Sequence, residues 1–410
     1  MKKVLKLVAK STVGAKDGKE CQCVKISFQY YKEGHPNDGK PVIIYRREEP
    51  KYIFDYEEWE YFDCLLPRRE DIIFKGHLEE KNTFCEYVDY DVKPGRVYAY
   101  WVGKESFGKA ITGPAPVKVR DRRVWWHFDE ILEKTYALKC DFPSIDLKEV
   151  GKTVHGKPLI AIFAGNRENM IACTGAVHAG ESGPEILLTA IREILTEKPE
   201  SLEKCGIAIL PVVNADMREV MVNGAPWYIR KNANGVDLNR NFDANWQTVD
   251  YSYGLISTDP NSPTYRGPYP NSEPEVQAVI SFIELVKPRA VFSYHWLCSI
   301  SSDKMLGASS AKDDKEYLDR LNKISLEYST AFRGGMGAAP RLENETPLIC
   351  SCGSLPNWLH ARGVVCFDME MSADLPTLAT AKKDKSTPKM LKSVVSGHKA
   401  GLLKMTEYFA

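Results

Sequence analysis

His178 and Glu181 stand three residues apart in His178-Ala179-Gly180-Glu181, and His295 follows the apolar run Ala290 to Tyr294. Each comes after a short apolar stretch (Ile171 to Val177, then 290 to 294) that reads as a strand buried on both faces. Two imidazoles and one carboxylate therefore project from neighbouring strand ends. That is a ligand set for a catalytic zinc with an open fourth position for water. The spacing alone is not diagnostic. His77-Leu78-Glu79-Glu80 repeats it in a chain with eight histidines, but that copy has no third ligand at a strand end and reads as surface.

Further along, the segment from Arg230 to Asp243 gathers Arg230, Asp237, Asn239 and Arg240 in one Gly-containing loop between apolar runs. Planar guanidinium and amide donors can grip both oxygens of a carboxylate at once, while a solvated polar loop is the other reading of this composition. Glu370 closes the apolar run Val364 to Met369. A carboxylate there could take a proton from water beside a metal, or be an ordinary surface glutamate.

These residues need elements to hold them, and from Val124 onward strand and helix patterns alternate. Candidate strands are Leu159 to Phe163, Ile171 to Val177, Ile207 to Val213, Ala290 to Tyr294 and Val364 to Met369. Between them Ile186, Leu187, Ala190, Ile191, Ile194 and Leu195 recur at helical spacing after Pro184. Ser272-Glu273-Pro274-Glu275 has the form of a capping box opening a helix through Val286. Two more helices are predicted over residues 312–330 and from Met390 onward. The alternation predicts an α/β domain with a mixed, mostly parallel sheet covered by helices, whose ligands sit beyond the strands' carboxyl ends.

The first ~120 residues read differently. Phe28, Tyr30, Val42 to Tyr45, Tyr52, Phe54, Ile72 to Phe74, Tyr87 to Tyr90, Tyr98, Tyr100, Val102, Val117 and Val119 lie in short runs separated by turn residues. An all-β sandwich is expected over residues 1–121 and a catalytic domain over 122–410. Pro94 to Tyr98 resembles the penultimate-strand region of fibronectin type III domains. Trp125 and Trp126 read as core or domain-interface residues, and His155, His360 and His398 have no partners at ligand spacing.

Composition narrows the function. Lys plus Arg and Asp plus Glu are 55 each, which removes the electrostatic footprint of a nucleic-acid or membrane-surface binder. No apolar run approaches the ~20 residues of a membrane span. Lys6 and Lys10 interrupt the apolar start, a poor signal peptide, so a cytoplasmic location is expected. Eleven scattered cysteines read as free, buried thiols. Oligomeric state has no signature in the chain.

Taken together, His178-Ala179-Gly180-Glu181, Gly235-Val236-Asp237-Leu238-Asn239-Arg240-Asn241-Phe242, Ser272-Glu273-Pro274-Glu275, His295, Trp358 and Glu370 stand in the order of the carboxypeptidase A-like zinc carboxypeptidases. Val150 to Leu159 also resembles that family's opening strand region. The likeness spans about residues 125 to 375, and its segment Gly353 to Leu359 looks most like bacterial members. It implies one zinc per chain on His178, Glu181 and His295, the two-histidine, one-glutamate set established for carboxypeptidase A. By the same resemblance Asp237 orients His178, Arg230 stabilises the oxyanion and Glu370 is the general base. Asn239 and Arg240 bind the substrate's terminal carboxylate. The implied reaction is promoted-water attack on the amide bond before a C-terminal residue.

Departures from the animal digestive enzymes bear on substrate choice. Trp296 and Leu297 follow the third ligand where those enzymes have Ser-Tyr, and Leu348 falls near the place of their mobile tyrosine. Gly180 replaces an arginine, and Asn214-Ala215-Asp216-Met217 replaces Asn-Pro-Asp-Gly. The pocket floor is expected near Leu355, in a Ser354-Leu355-Pro356-Asn357 segment without a carboxylate, which argues against C-terminal Lys or Arg. The expected partner is a peptide, or a murein peptide cleaved at its γ-D-glutamyl-diaminopimelate bond, with a free C-terminal carboxylate. Two other readings are a zinc amidohydrolase that removes an acyl group and a non-catalytic peptide- or glycan-binding protein. The β domain is expected to pack beside the active-site mouth and restrict substrate size.

Overall fold

The computed structural model describes residues 4–30, 41–48, 52–54, 59–62, 66–81, 84–104, 111–224, 229–248, 256–295, 303–338, 346–371 and 387–410. The chain forms two compact units, residues 1–122 with 220–228, and residues 123–219 with 229–410.

The first unit is all β. Its strands are β1 (Val4–Lys16), β2 (Lys19–Tyr30), β3 (Val42–Glu48), β4 (Tyr52–Phe54), β5 (Trp59–Phe62), β6 (Ile72–Gly76), β7 (Glu80–Lys81), β8 (Phe84–Asp89), β9 (Val97–Lys104) and β10 (Thr112–Lys118). Two antiparallel sheets run β1-β2-β8-β7 and β10-β9-β3-β6, with β4 and β5 paired apart. Val24, Ile26 and Phe28 of one sheet share a core with Val42, Ile44, Tyr98 and Tyr100 of the other, so the alternation seen along β9 is the inward face of a sandwich. His77 and Glu79 are exposed, as their isolated spacing suggested. Residues of the 220–228 segment are hydrogen-bonded into this unit. Ser11 N donates to Asn223 O and Lys118 N to Gly224 O, both at 2.8 Å.

The second unit carries an eight-stranded sheet, β11 (Asp146–Lys152), β12 (Pro158–Ala164), β13 (Met170–Gly175), β14 (Gly206–Leu210), β15 (Ala290–Tyr294), β16 (Asp303–Ala308), β17 (Leu348–Cys350) and β18 (Val365–Met371), in the order β11-β12-β14-β13-β15-β18-β16-β17. The central strands β14, β13, β15 and β18 are parallel, and antiparallel pairings flank them. Among the described residues seven α-helices accompany the sheet: α1 (Phe128–Asp141), α2 (Gly183–Glu197), α3 (Ala215–Val222), α4 (Pro274–Val286), α5 (Lys315–Gly335), α6 (Leu355–His360) and α7 (Pro388–Tyr408). Register assigns the faces. Phe163 lies in the row of Ala208, Ala172, Val291 and Cys366 and meets Phe282 of α4, whereas Phe292 and Phe367 lie in the opposite row and Phe292 stacks on Tyr328 of α5. The central strands are therefore buried on both sides, which is why β12, β13, β14 and β15 read as uninterrupted apolar runs, while the edge strand β11 is largely exposed.

Three sequence expectations need correction. Strand β13 ends at Gly175, because Val213 N and Asn214 N take the carbonyls of Gly175 and Ala176 and turn the chain out of the ladder; Ala176 has a left-handed φ of 46°. Glu370 lies inside β18 rather than beyond its end, since antiparallel pairing with β16 (Lys304 opposite Glu370) prolongs the strand to Met371. The capping box at α4 does not form. Glu273 is the N-cap without a side-chain cap bond, and Glu275 instead accepts from Val154 N (3.1 Å) and Asn232 Nδ2 (3.0 Å), so both acids brace the 230–237 loop. Trp125 is a core residue, and Cys173, Cys205 and Cys366 are buried free thiols; Cys140 is exposed. No helix among the described residues is long and apolar enough to cross a membrane.

Candidate metal centre

The carboxyl ends of β13 and β15 deliver the ligands. His178 comes three residues after β13 and His295 is the residue after β15, with His295 N donating to Met369 O of β18 at 3.3 Å. Glu181 reaches back from the turn before α2. One donor atom from each of His178, Glu181 and His295 lies within 4.8 Å of the others, and all three residues are buried. His178 Nδ1 stands 3.0 Å from Glu181 Oε1 and His295 Nδ1 stands 3.3 Å from Glu181 Oε2, so both rings turn the same nitrogen toward one carboxylate. Two imidazole nitrogens and a carboxylate, sealed from bulk water and convergent on one point, suit a divalent zinc ion.

Each ring's other nitrogen faces a second acid. His178 Nε2 is 3.1 Å from Asp237 Oδ1, and His295 Nε2 is 3.2 Å from Asp368 Oδ1 with Ser293 Oγ at 3.0 Å. A carboxylate behind a ligating imidazole holds its tautomer and orientation and raises its basicity. The two acids also hold the neighbouring polar groups. Asp237 Oδ2 accepts from Arg230 Nε at 2.7 Å, and its Oδ1 from Asn239 N at 3.1 Å. Asp368 Oδ2 accepts from Asn239 Nδ2 at 2.9 Å, and Asn239 Oδ1 accepts from Leu355 N at 3.0 Å. Arg240 is buried and donates from Nη1 to Asn239 O at 2.8 Å.

Charge follows this geometry. Burial works to raise the Glu181 carboxyl, but the imidazoles of His295 and His178 outweigh it and bring it down to about 2. Burial likewise opposes the charged form of Asp237, and Arg230, Arg240 and His178 more than offset it, leaving that carboxyl well below the usual range. His295 is held well above an ordinary imidazole by Asp368 and Glu181 despite its burial. At Glu370 burial wins. It is reinforced by Glu181 and Asp368, opposed by His295 and Arg230, and the carboxyl is pushed up to about 8.

The structure thus brings together His178, Glu181, His295, Asp237, Arg230, Asn239 and Arg240, with Leu355 bonded to Asn239 and Glu370 within electrostatic range of Glu181, His295 and Arg230. Leu348 stands apart. It lies on edge strand β17, against the α-carbon of Gly307, with β16 between it and β18. Trp296 and Leu297 lie outside the described residues. Sequence reasoning missed Asp368 and Ser293. The signal was available in the period-2 alternation of strands, since Asp368 precedes Glu370 by two and Ser293 precedes His295 by two.

An α/β sheet with a His-Glu-His cluster at the carboxyl ends of its parallel strands defines a mononuclear metalloprotein with a zinc site. A family model described as zinc carboxypeptidase matches residues 131–338, and the chain belongs to that family. The match includes all three ligands, while Asp368 and Glu370 lie beyond it. Among curated relatives, murein peptide amidase A of Escherichia coli (strain K12) is 33% identical over 150 residues, 35% of this chain and 57% of that protein. Human carboxypeptidase A6 is 30% identical over 273 residues, 58% of this chain and 56% of its own length. The chain thus spans little more than half the length of these relatives. Bovine thrombin-activatable fibrinolysis inhibitor, solved in complex with tick carboxypeptidase inhibitor, superposes with a TM-score of 0.59 at 20% identity, covering 70% of this chain and 98% of that one; this likeness concerns the fold.

Proposed function

We propose that this protein hydrolyses the amide bond preceding the C-terminal residue of a peptide. The observation that carries the reading is the convergence of the His178, Glu181 and His295 donors beside a polar wall of Arg230, Asn239 and Arg240. His178, Glu181 and His295 would hold the zinc, which would supply Lewis-acid chemistry for a carbonyl and for water. Asn239 and Arg240 grip the free carboxylate, and the anchoring of Asn239 at both ends of its amide sets where the terminal residue can sit. Arg230, with Nε bonded to Asp237, presents a guanidinium of fixed plane to the oxygen on which negative charge develops. Glu370 takes the proton from water and returns it to the leaving amine. A carboxyl raised by burial suits both halves of that exchange.

A murein peptide is the second candidate substrate, supported by the 33% identity to murein peptide amidase A. The same carboxylate grip, oxyanion cation and base serve a γ-D-glutamyl-diaminopimelate bond. A mass-spectrometric digest decides between them. The zinc-loaded protein is offered a peptide library varied at its last residue and, separately, L-Ala-γ-D-Glu-diaminopimelate. Release of single L-residues supports the first reading, cleavage of the murein tripeptide alone supports the second, and no product from either sinks both.

A further inference from the structure

Arg218 of α3 is fully buried, as is Glu185 in the first turn of α2, and the guanidinium Nη2 donates to Glu185 Oε1. A buried guanidinium stays charged and needs both a counter-charge and acceptors for its N–H groups. Two of those acceptors are backbone carbonyls of the ligand turn itself. Nη1 donates to Ala179 O at 3.1 Å and to Glu181 O at 2.7 Å. Nε donates to Trp126 O at 3.1 Å, and Trp126 N donates back to Glu185 Oε1 at 2.7 Å. The face of the Trp125 ring lies 5.2 Å from the Arg218 guanidinium carbon.

From this geometry we infer that Arg218, neutralised by Glu185, is a positioning residue for the metal centre: it fixes the His178–Glu181 turn from beneath and thereby sets the separation of two of the three ligands. The inference rests on the zinc-site reading above. Only a forked, planar donor can hold Ala179 O, Glu181 O, Trp126 O and Glu185 together; a lysine ammonium on a flexible stem cannot span them. Neither residue belongs to the ligand set of His178, Glu181 and His295. Their effect passes through the backbone of residues 179 and 181, so it is read in metal affinity more directly than in substrate affinity.

The test compares zinc affinity, by chelator competition, and the visible spectrum of the cobalt-substituted protein in Arg218→Lys, Glu185→Gln and wild type. Arg46→Lys, which disturbs the Arg46–Asp89 pair of the β unit (3.0 Å), is the control for general loss of stability. We expect Arg218→Lys to weaken zinc binding by roughly 10-fold or more, as disturbed outer supports of metal sites do, and to alter the cobalt spectrum. Glu185→Gln shifts both in the same direction, while Arg46→Lys lowers the melting temperature with zinc affinity within about twofold. Zinc affinity within about twofold of wild type in both Arg218→Lys and Glu185→Gln would overturn the proposal and leave a stabilising core pair. If Arg218→Lys does not fold, Glu185→Gln decides. Failure of the wild type to bind zinc would instead refute the metal-site reading.

Discussion

Asn239 donates its side-chain amide to Asp368 Oδ2 at 2.9 Å, and the other oxygen of Asp368 faces His295 Nε2 at 3.2 Å. The proposed carboxylate grip and a metal ligand thus lean on one buried acid. Asp368→Asn is expected to weaken zinc binding by roughly 10- to 100-fold and to raise KM as well, whereas Asn239→Ala raises KM with zinc affinity unchanged. Chelator competition and steady-state kinetics on the same preparations check this. Unchanged zinc affinity in Asp368→Asn would confine Asp368 to the support of Asn239.

Glu370→Gln removes the proposed proton carrier while keeping shape and leaving the ligand cluster intact. A fall of at least ~100-fold in kcat/KM with full zinc occupancy is expected. Metal analysis beside a turnover assay tests it, and retained turnover would reassign the base.

Asp237 makes stability depend on pH in one direction. Its carboxyl titrates lower in the fold than in the unfolded chain, so the folded state binds fewer protons. Its contribution is complete above the unfolded value of about 4 and is lost as pH falls toward the lowered value. In chelator-treated protein the melting temperature should drop below about pH 4. Asp237→Asn should be less stable at neutral pH and show a shallower acid limb. Equal limbs in the two proteins would contradict the linkage.

Gly353 has a φ of +72°, and a Cβ placed there would lie 2.1 Å from Arg240 O. That close approach brings the Ser354–Asn357 segment onto Asn239 through Leu355 N. Gly353→Ala should cost roughly 2 kcal/mol or more and raise KM. Gly363→Ala, also at positive φ but in open space, should cost only about 1 kcal/mol without touching KM. Denaturant titration and kinetics of both variants provide the comparison.

Zinc that binds the folded state and not the unfolded one must raise the melting temperature in proportion to the logarithm of its free concentration. Addition of chelator should reverse the rise, and a variant lacking His295 should show none. Calorimetry at several zinc concentrations measures it.

The sequence by itself determined the central strands of the second unit, its helices α2, α4, α5 and α7 and the identity of the three ligands, because these reside in local patterns, whereas α1, α3, α6, β16 and β17 were not read from it. Uninterrupted apolar runs mark strands buried on both faces, helical recurrence marks α2, and the ligands follow strands β13 and β15. Only the tertiary structure decided what holds those ligands still. Asp368 meets Asn239 across 129 positions of chain, and Arg218 meets Ala179 across 39. Nothing in the local pattern marks Arg218, and the strand alternation that sets Asp368 on the same face as Glu370 does not name its partners, since a buried charge is recognisable only by the partners that neutralise it. The same limit explains the misread acids at α4. Glu273 and Glu275 have the spacing of a cap, but the loop carrying Asn232 and Asn234 comes close enough in the fold to take them.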